Sequence, residues 1–282
     1  MTDWVEERLH DDFRIRLRAN KILYDSQTAY QHIVFFENSA FGRVMALDDV
    51  VQTTERDEFI YHEMLAHVPI LAHGAVREVL IVGGGDGGML EETLKHRKVE
   101  RVTLVEIDQR VIDLSRRYLS SICGRAFEDP RVNLVIAEGA GFVSASKARF
   151  DVIIVDSTDP IGPGVALFTE HFYKSCKACL APGGVLVTQN GVPFLQSTEL
   201  VNALHCLRPI FADTTCYLAT VPTYVGGPMA FGWATDDTGL RQTPVDTLRA
   251  RFEDAELTTD YYTPEVHHAA FALPGYVAKL IS

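Results

Sequence analysis

From residue 77 onward the chain repeats one rhythm. Short apolar runs, EVLIV, RVTLVEI, RVNLVIA, DVIIVD and GGVLVTQN, alternate with stretches of helical period such as QRVIDLSRRYL and FTEHFYKSCKACL. Apolar runs without a polar face predict strands covered on both sides, and the helices between them predict βαβ units, hence an α/β fold with a doubly wound parallel sheet. Residues 211–235 return to strand-like text (TTCYLATVPTYV, MAFGWAT), and the tail predicts a further helix and strand. Residues 1–53 read differently. RIRLRANKILY, YQHIVFFENS and RVMALDDVVQ predict strands joined by turns at Asp25-Ser26, Asn38-Ser39 and Asp48-Asp49, a small antiparallel β-sheet. Thr54 and Asp57 resemble a capping box that opens a helix through EFIYHEMLAH, stopped by Pro69. The chain thus divides into an N-terminal β-sheet domain, 1–53, and an α/β domain, 54–282.

Composition narrows the partners. The chain has 282 residues, 47% of them hydrophobic, and a formal net charge of −12. That length suits one large domain or one domain plus a small one. The acidic balance excludes nucleic acid and anionic membrane surfaces and suits a cationic ligand. The N-terminal text MTDWVEERLHDDFRIRLRAN has no apolar core of a signal peptide, and no apolar run is long enough to span a bilayer. Cys123, Cys176, Cys179, Cys206 and Cys216, an odd set without a secretion signal, predict a reduced, cytoplasmic protein. Cys176 and Cys179 form a C-x-x-C with no second pair nearby, which predicts helix packing rather than metal. His62-Glu63 begins like H-E-x-x-H, but the next histidine is His67, roughly 140° round a helix from His62, so no zinc pair and no metal site are expected.

The chemistry concentrates at IVGGGDGGML, residues 81–90. The spacing fits G-x-G-x-x-G, a loop that brings a pyrophosphate to a helix N-terminus, yet Asp86 sits in its middle and would repel a phosphate. Ligands of an open parallel sheet bind outside the carboxyl ends of the strands. An acid stands at or just past the end of each of the first four such strands: Asp86, Glu106, Glu138 and Asp156, with Asp159 close behind. Helix capping explains such acids singly, and Asp108 in particular, but not the whole row. Glu106, about 20 residues past the loop, occupies the place of an acid that accepts both hydroxyls of a ribose. The base then lies near Glu138-Gly139. On the other side of the ribose, Asp86, Asp156 and Asp159 make a negative cleft, which fits a nucleoside with a positive 5′ substituent such as a sulfonium. Asp86 would repel the carboxylate of S-adenosylmethionine and attract the amine of its decarboxylated form, so one acid both selects and rejects.

YQHIVFFEN, FGRVMALDDVVQTTERDEFIYHEML, VGGGDGG, VEID, DVIIVDSTDPIGPG, LFTEHFY, PGGVLVTQNG and VPTYVGG together resemble the spermidine synthase family of polyamine aminopropyltransferases, in its bacterial form, over nearly the whole chain. The resemblance implies a Rossmann-like, class I methyltransferase-like catalytic domain behind the small N-terminal β-sheet domain. It implies transfer of the aminopropyl group of decarboxylated S-adenosylmethionine to putrescine, giving spermidine and 5′-methylthioadenosine. No cofactor is then needed, because the donor is a co-substrate, and a cytoplasmic homodimer is expected. Carried onto these residues, the resemblance implies that Gln31, Glu106, Glu138, Gly139 and Pro163 contact the nucleoside and that Asp86 takes the aminopropyl amine. It implies that Tyr61, His62, Asp159 and Tyr224 hold the acceptor amine and that Asp156 accepts the proton, with Gln52 a weaker carry-over. Two positions depart from the family pattern: Glu138 stands where Asp is usual, and Asp49 where the turn usually has Gly. Cadaverine, agmatine or spermidine remain alternative acceptors, and an S-adenosylmethionine-dependent methyltransferase the alternative reaction. The segment TDPIGPGVALFTE is expected to close over bound ligands.

Overall fold

The computed structural model describes residues 3–160 and 162–282. A hairpin of β1 (Asp3–Glu7) and β2 (Ile15–Ala19) precedes an antiparallel sheet of β3 (Lys21–Gln27), β4 (His32–Asn38), β5 (Gly42–Leu47) and β6 (Val50–Thr54). The first expected strand is therefore two, broken at Asn20, and β1 was not foreseen. The turn expected at Asp25-Ser26 lies instead between Thr28 and Gln31, where Thr28 N donates to Gln31 O at 2.8 Å. Asp25 stays in the strand because its carboxylate is engaged across it by His32 Nε2 at 2.7 Å. Asp48 and Asp49 do form a turn, with φ of 48° and 63°, a conformation that aspartate tolerates.

Helix α1 (Glu58–His73) runs straight through Pro69 and ends at Gly74, whose amide donates to Ile70 O at 2.9 Å. Proline removes one helical hydrogen bond. Here every residue from Ile60 to Ala72 is buried, and packing on the sheet outweighs that loss. The expected capping box is absent. Thr54 Oγ1 donates to Asp57 Oδ1 at 2.6 Å, while Asp57 Oδ2 accepts from Thr223 N and Thr223 Oγ1. Asp57 thereby ties the start of α1 to the segment that carries Tyr224.

The central sheet comprises β7 (Glu78–Gly83), β8 (Arg101–Glu106), β9 (Val132–Ile136), β10 (Phe150–Asp156), β11 (Leu180–Gln189), β12 (Asp213–Ala219) and β13 (Met229–Thr235), in the order β12-β13-β11-β10-β7-β8-β9. It is parallel from β11 to β9, and β13 runs antiparallel to both its neighbours. Alternate side chains enter opposite layers, as the strand period requires. Val79, Ile81, Val152 and Ile154 pack under α1 through Met64, Leu65 and Val68. Leu80, Val82, Ile153 and Val155 face Phe172, Tyr173, Leu200 and Leu204 on the other side.

Helices α2 (Gly88–Leu94), α3 (Gln109–Tyr118), α4 (Ser120–Cys123), α5 (Gly139–Ala145), α6 (Glu170–Cys179) and α7 (Ser197–Leu207) fill the connections. The tail forms α8 (Val245–Asp254), α9 (Pro264–Ala270) and α10 (Gly275–Leu280) rather than a helix and a strand. Pro264 at the first turn of α9, with Thr263 capping Val266 N, is a helix-start signal that outweighs the strand-like composition. This sheet order with its antiparallel β13 is methyltransferase-like. The N-terminal sheet sits on it: Ile33, Phe35, Met45 and Leu47 pack against Val111 and Leu114 of α3, Leu119 at the junction and Ile122 of α4. Cys176 and Cys179 are buried on α6, and all five cysteines are free. Among the described residues no helix is long and apolar enough to cross a membrane.

Candidate active site

The chain runs from β7 outward to β8 and β9, then returns to place β10 on the other side of β7. A cleft opens where the order reverses. Register brings the two halves of the site together there. Asp156 pairs with Gly83, and Gly84 N donates to Asp156 O at 2.9 Å. Gly83 has φ +88°, and a Cβ on it would collide with that same carbonyl. Gly85 has no room either, since a Cβ would meet Glu106 Oε2 at 2.8 Å. The glycines thus let the loop lie flat on both neighbouring acids.

Over this point lies a cavity of about 200 Å³. Gln31, Gln52, Tyr61, His62, Asp86, Glu106, Glu138, Gly139, Asp156, Asp159, Pro163 and Tyr224 all line it. At one end, Glu106 finishes β8 and accepts from Asp108 N at 2.9 Å. Burial, with Asp108 close by, pushes its pKa up to about 7. Asp108 caps α3 through Arg110 N and also accepts from Thr28 Oγ1 at 2.7 Å and Gln31 Nε2 at 3.4 Å, which draws Gln31 of the N-terminal sheet to the cavity. Glu138 is the N-cap of α5, its two oxygens accepting from Ala140 N and Gly141 N at 2.9 and 2.6 Å. The capping role thus holds for Glu138 as well as Asp108, and each Glu138 oxygen keeps a second lone pair.

At the other end, Tyr61 and His62 enter from α1. Tyr61 Oη donates to Asp156 Oδ1 at 2.8 Å, and its ring meets Tyr224 edge-on with centroids 6.0 Å apart. Tyr224 Oη donates to Gln52 O at 2.5 Å. His62 Nε2 lies 3.4 Å from Asp86 Oδ2, and Asp86 Oδ1 accepts from Gly88 N at 3.0 Å. Asp159 accepts from Gln196 Nε2 at 2.8 Å. Burial and the neighbouring Asp86 charge raise Asp156 to about 6. Burial would raise Asp86 too, but His62 and the Gly88 amide hold it below its ordinary value. A nitrogen of His62 and carboxylate oxygens of Asp86 and Asp156 fall within 4.8 Å of one another, so the charges of the three are coupled. The next member of α1, Glu63, turns away and accepts from the amides of Asp260, Tyr261 and Tyr262. His67 faces His96, 2.9 Å away, so His62 and His67 do not form a pair.

Several lining residues escaped the sequence reading: Glu7, Leu9, His10, Gln189 and Gln196; Phe13, which the sequence offers with Trp4 as a pocket residue or an N-terminal anchor, does line the cavity. Glu7 offered a faint signal, since it shares its strand face with the apolar Val5. Its Oε2 accepts from Val51 N at 3.0 Å, and burial raises its pKa. Trp4 is 55% exposed and lies outside the wall. In TDPIGPGVALFTE, residue 161 lies outside the described residues, and Gly162–Phe168 is a 3₁₀ segment that brings Pro163 and Gly164 to the cavity. Among the described residues no lysine or arginine lines the cavity. It is an acid-walled site with an apolar floor, fit for an uncharged or cationic ligand.

The comparisons with known proteins agree with this chemistry. The model of the spermine/spermidine synthase domain matches residues 58–243, and that of the spermidine synthase tetramerisation domain matches residues 3–55. A polyamine aminopropyltransferase of Ruegeria sp. is 59% identical over 277 residues, covering 98% of each chain. Polyamine aminopropyltransferase 1 of Pseudomonas aeruginosa is 54% identical over 281 residues, 100% of this chain and 98% of its own. The crystal structure of a spermidine synthase in complex with the transition-state analogue AdoDATO superposes with a TM-score of 0.93 at 40% identity, over 99% of this chain and 94% of that one. The spermidine synthase of Thermotoga maritima superposes with a TM-score of 0.90 at 38% identity over the same shares.

Proposed function

The chain belongs to the spermine/spermidine synthase family, and from that premise we propose which of its residues carry the reaction. The protein is a transferase with spermidine synthase activity. It moves the aminopropyl group of decarboxylated S-adenosylmethionine to putrescine, and the donor is a co-substrate rather than a cofactor. The observation that carries the site assignment is the row of carboxylates on a wall without lysine or arginine.

In this reading Glu106 accepts the ribose hydroxyls, and Glu138, Gly139, Gln31 and Pro163 enclose the nucleoside. Asp86 binds the aminopropyl ammonium. Asp159, Tyr224, Tyr61 and His62 surround the acceptor amine, with Glu7 and Gln52 beside them. The amine nitrogen displaces sulfur at the adjacent methylene. A C–N bond forms, the C–S bond breaks, its electron pair returns to sulfur, and methylthioadenosine leaves. The enzyme must align the two centres and take one proton. An alkylammonium titrates near 10.4 and an ordinary aspartate near 3.9. Asp156, raised to about 6, is the better-matched acceptor, and the Tyr61 hydroxyl fixes its orientation.

The test is incubation with putrescine and either the decarboxylated donor or S-adenosylmethionine, with products identified by mass. Methylthioadenosine from the decarboxylated donor alone, lost in Asp156→Asn, supports the assignment. S-adenosylhomocysteine from the intact donor would reject the role given to Asp86. We also place the protein in the cytoplasm as a homodimer, with residues 1–53 as a strand-rich domain and residues 54–282 as the catalytic domain. The N-terminal match to a tetramerisation domain supports self-assembly, and sedimentation will give the copy number.

A further inference from the structure

Glu58 opens α1 one turn before His62 and does not line the cavity. Its Oε2 lies 2.5 Å from His62 Nδ1, while His62 Nε2 points at Asp86 Oδ2, 3.4 Å away. The His62 side chain is 3% exposed. An imidazole between two carboxylates carries a proton on each nitrogen, because neither carboxylate can donate when ionised. Burial pushes the His62 pKa down, but Asp86 and Glu58 together hold it well above its usual value. The consequence passes to the next pair. A charged His62 keeps Asp86 ionised, and the Asp86 charge in turn makes Asp156 the carboxylate that takes a proton near neutral pH.

We propose that Glu58 is a positioning residue for the transfer reaction. By engaging Nδ1 it fixes His62 as an imidazolium aimed at Asp86, which keeps Asp86 anionic for the donor's amine and leaves the proton to Asp156. This rests on the roles given above to Asp86 and Asp156. The groups that face this chain are Glu58 and Tyr61 on α1, Thr53 on β6, Cys123 on α4, Asp156 on β10 and Tyr224 before β13. Among the described residues, only the Glu58 and Asp86 carboxylates lie within reach of the imidazole nitrogens. Without Glu58, His62 releases its Nδ1 proton at lower pH. Asp86 and Asp156 then face each other without a counter-charge, and the pair holds a shared proton to higher pH.

Histidine-selective ¹³C and ¹⁵N NMR tests this directly, with the His62 signal assigned by its loss in His62→Gln. In the wild-type protein at about pH 8, His62 is expected to be doubly protonated, and in Glu58→Gln neutral. In turnover, Glu58→Gln should raise KM for the decarboxylated donor about tenfold at that pH, less at lower pH, and move the acid limb of kcat/KM upward. Glu58→Asp should recover part of both effects. A neutral His62 in the wild-type protein overturns the proposal and needs no folded variant. A Glu58→Gln profile parallel to wild type and lowered equally at every pH also overturns it. If His62 is charged through Glu58 but Asp86→Asn keeps its donor affinity, the link stands and the role of Asp86 fails.

Discussion

The two ends of the cavity hold their carboxylates in different ways. At the end we propose for the nucleoside the partners are local: Glu106 takes the amide of Asp108, and Glu138 takes the amides of Ala140 and Gly141. At the proposed amine end distant partners take part: Tyr61 reaches Asp156 from 95 residues away, Gln196 reaches Asp159 from 37, and His62 reaches Asp86 from α1, where the local amide of Gly88 also holds it. Local anchoring belongs to the strand-to-helix turn itself and fixes where a rigid ligand sits. Anchoring from afar lets other elements tune acidity, and it is at this end that we propose the proton moves.

The sharpest way to break this contrast is to remove the tuned base. Asp156→Asn should lower kcat/KM by about 10²- to 10⁴-fold, the usual worth of a positioned base, with an unchanged circular dichroism spectrum. A variant that retains tenth-scale activity would move the proton to another group. Asp86→Asn comes next. It leaves His62 buried without its partner, and truncating one member of such a pair costs about 2–5 kcal/mol. The expected result is a rise of at least about thirtyfold in KM for the decarboxylated donor. Isothermal titration should show S-adenosylmethionine losing much less.

Tyr61→Phe removes one hydrogen bond to a carboxylate, worth about 1.5–3 kcal/mol. Because that bond lowers the Asp156 pKa, the acid limb of the rate profile should shift upward from about 6. An unshifted limb would detach Tyr61 from the base.

The nucleoside end should answer in stability rather than rate. The folded Glu106 pKa of about 7 lies above its ordinary 4.5. Its contribution to stability is therefore complete below about 4.5 and is lost as pH rises through about 7. Glu106→Gln should melt about 2–4 °C higher than wild type in the ligand-free protein at alkaline pH, with little difference near pH 4, while methylthioadenosine affinity falls. The smallest effect belongs to Glu138→Ala, which loses a helix cap worth about 1 kcal/mol and should lower the melting temperature by about 2–4 °C.

The same contrast explains what was legible in the sequence. The strand-end acids could be read because their position follows from strand period alone, and the parallel sheet from its uninterrupted apolar runs. Tyr61, His62 and Tyr224 came only through family resemblance, since nothing local says that this face of α1, or the segment before β13, meets the sheet ends. Glu7 and His10 were missed because their hairpin reaches the cavity by tertiary packing. Pro69 misled for the same reason: burial along α1 outweighs one missing amide. In the tail, the expected strand is replaced by helices, one of them opened by Pro264.

A wall with no lysine or arginine among the described residues bears on more than the substrates proposed for it. Most soluble adenosine compounds carry phosphates, and in any mixture of nucleotides they compete for whatever recognises the base and ribose. Here such competitors share the shape of the ligand but bear the charge of the wall. In the proposed site their charge is repelled by that of the wall, so sign as well as shape favours a rarer, positively charged relative.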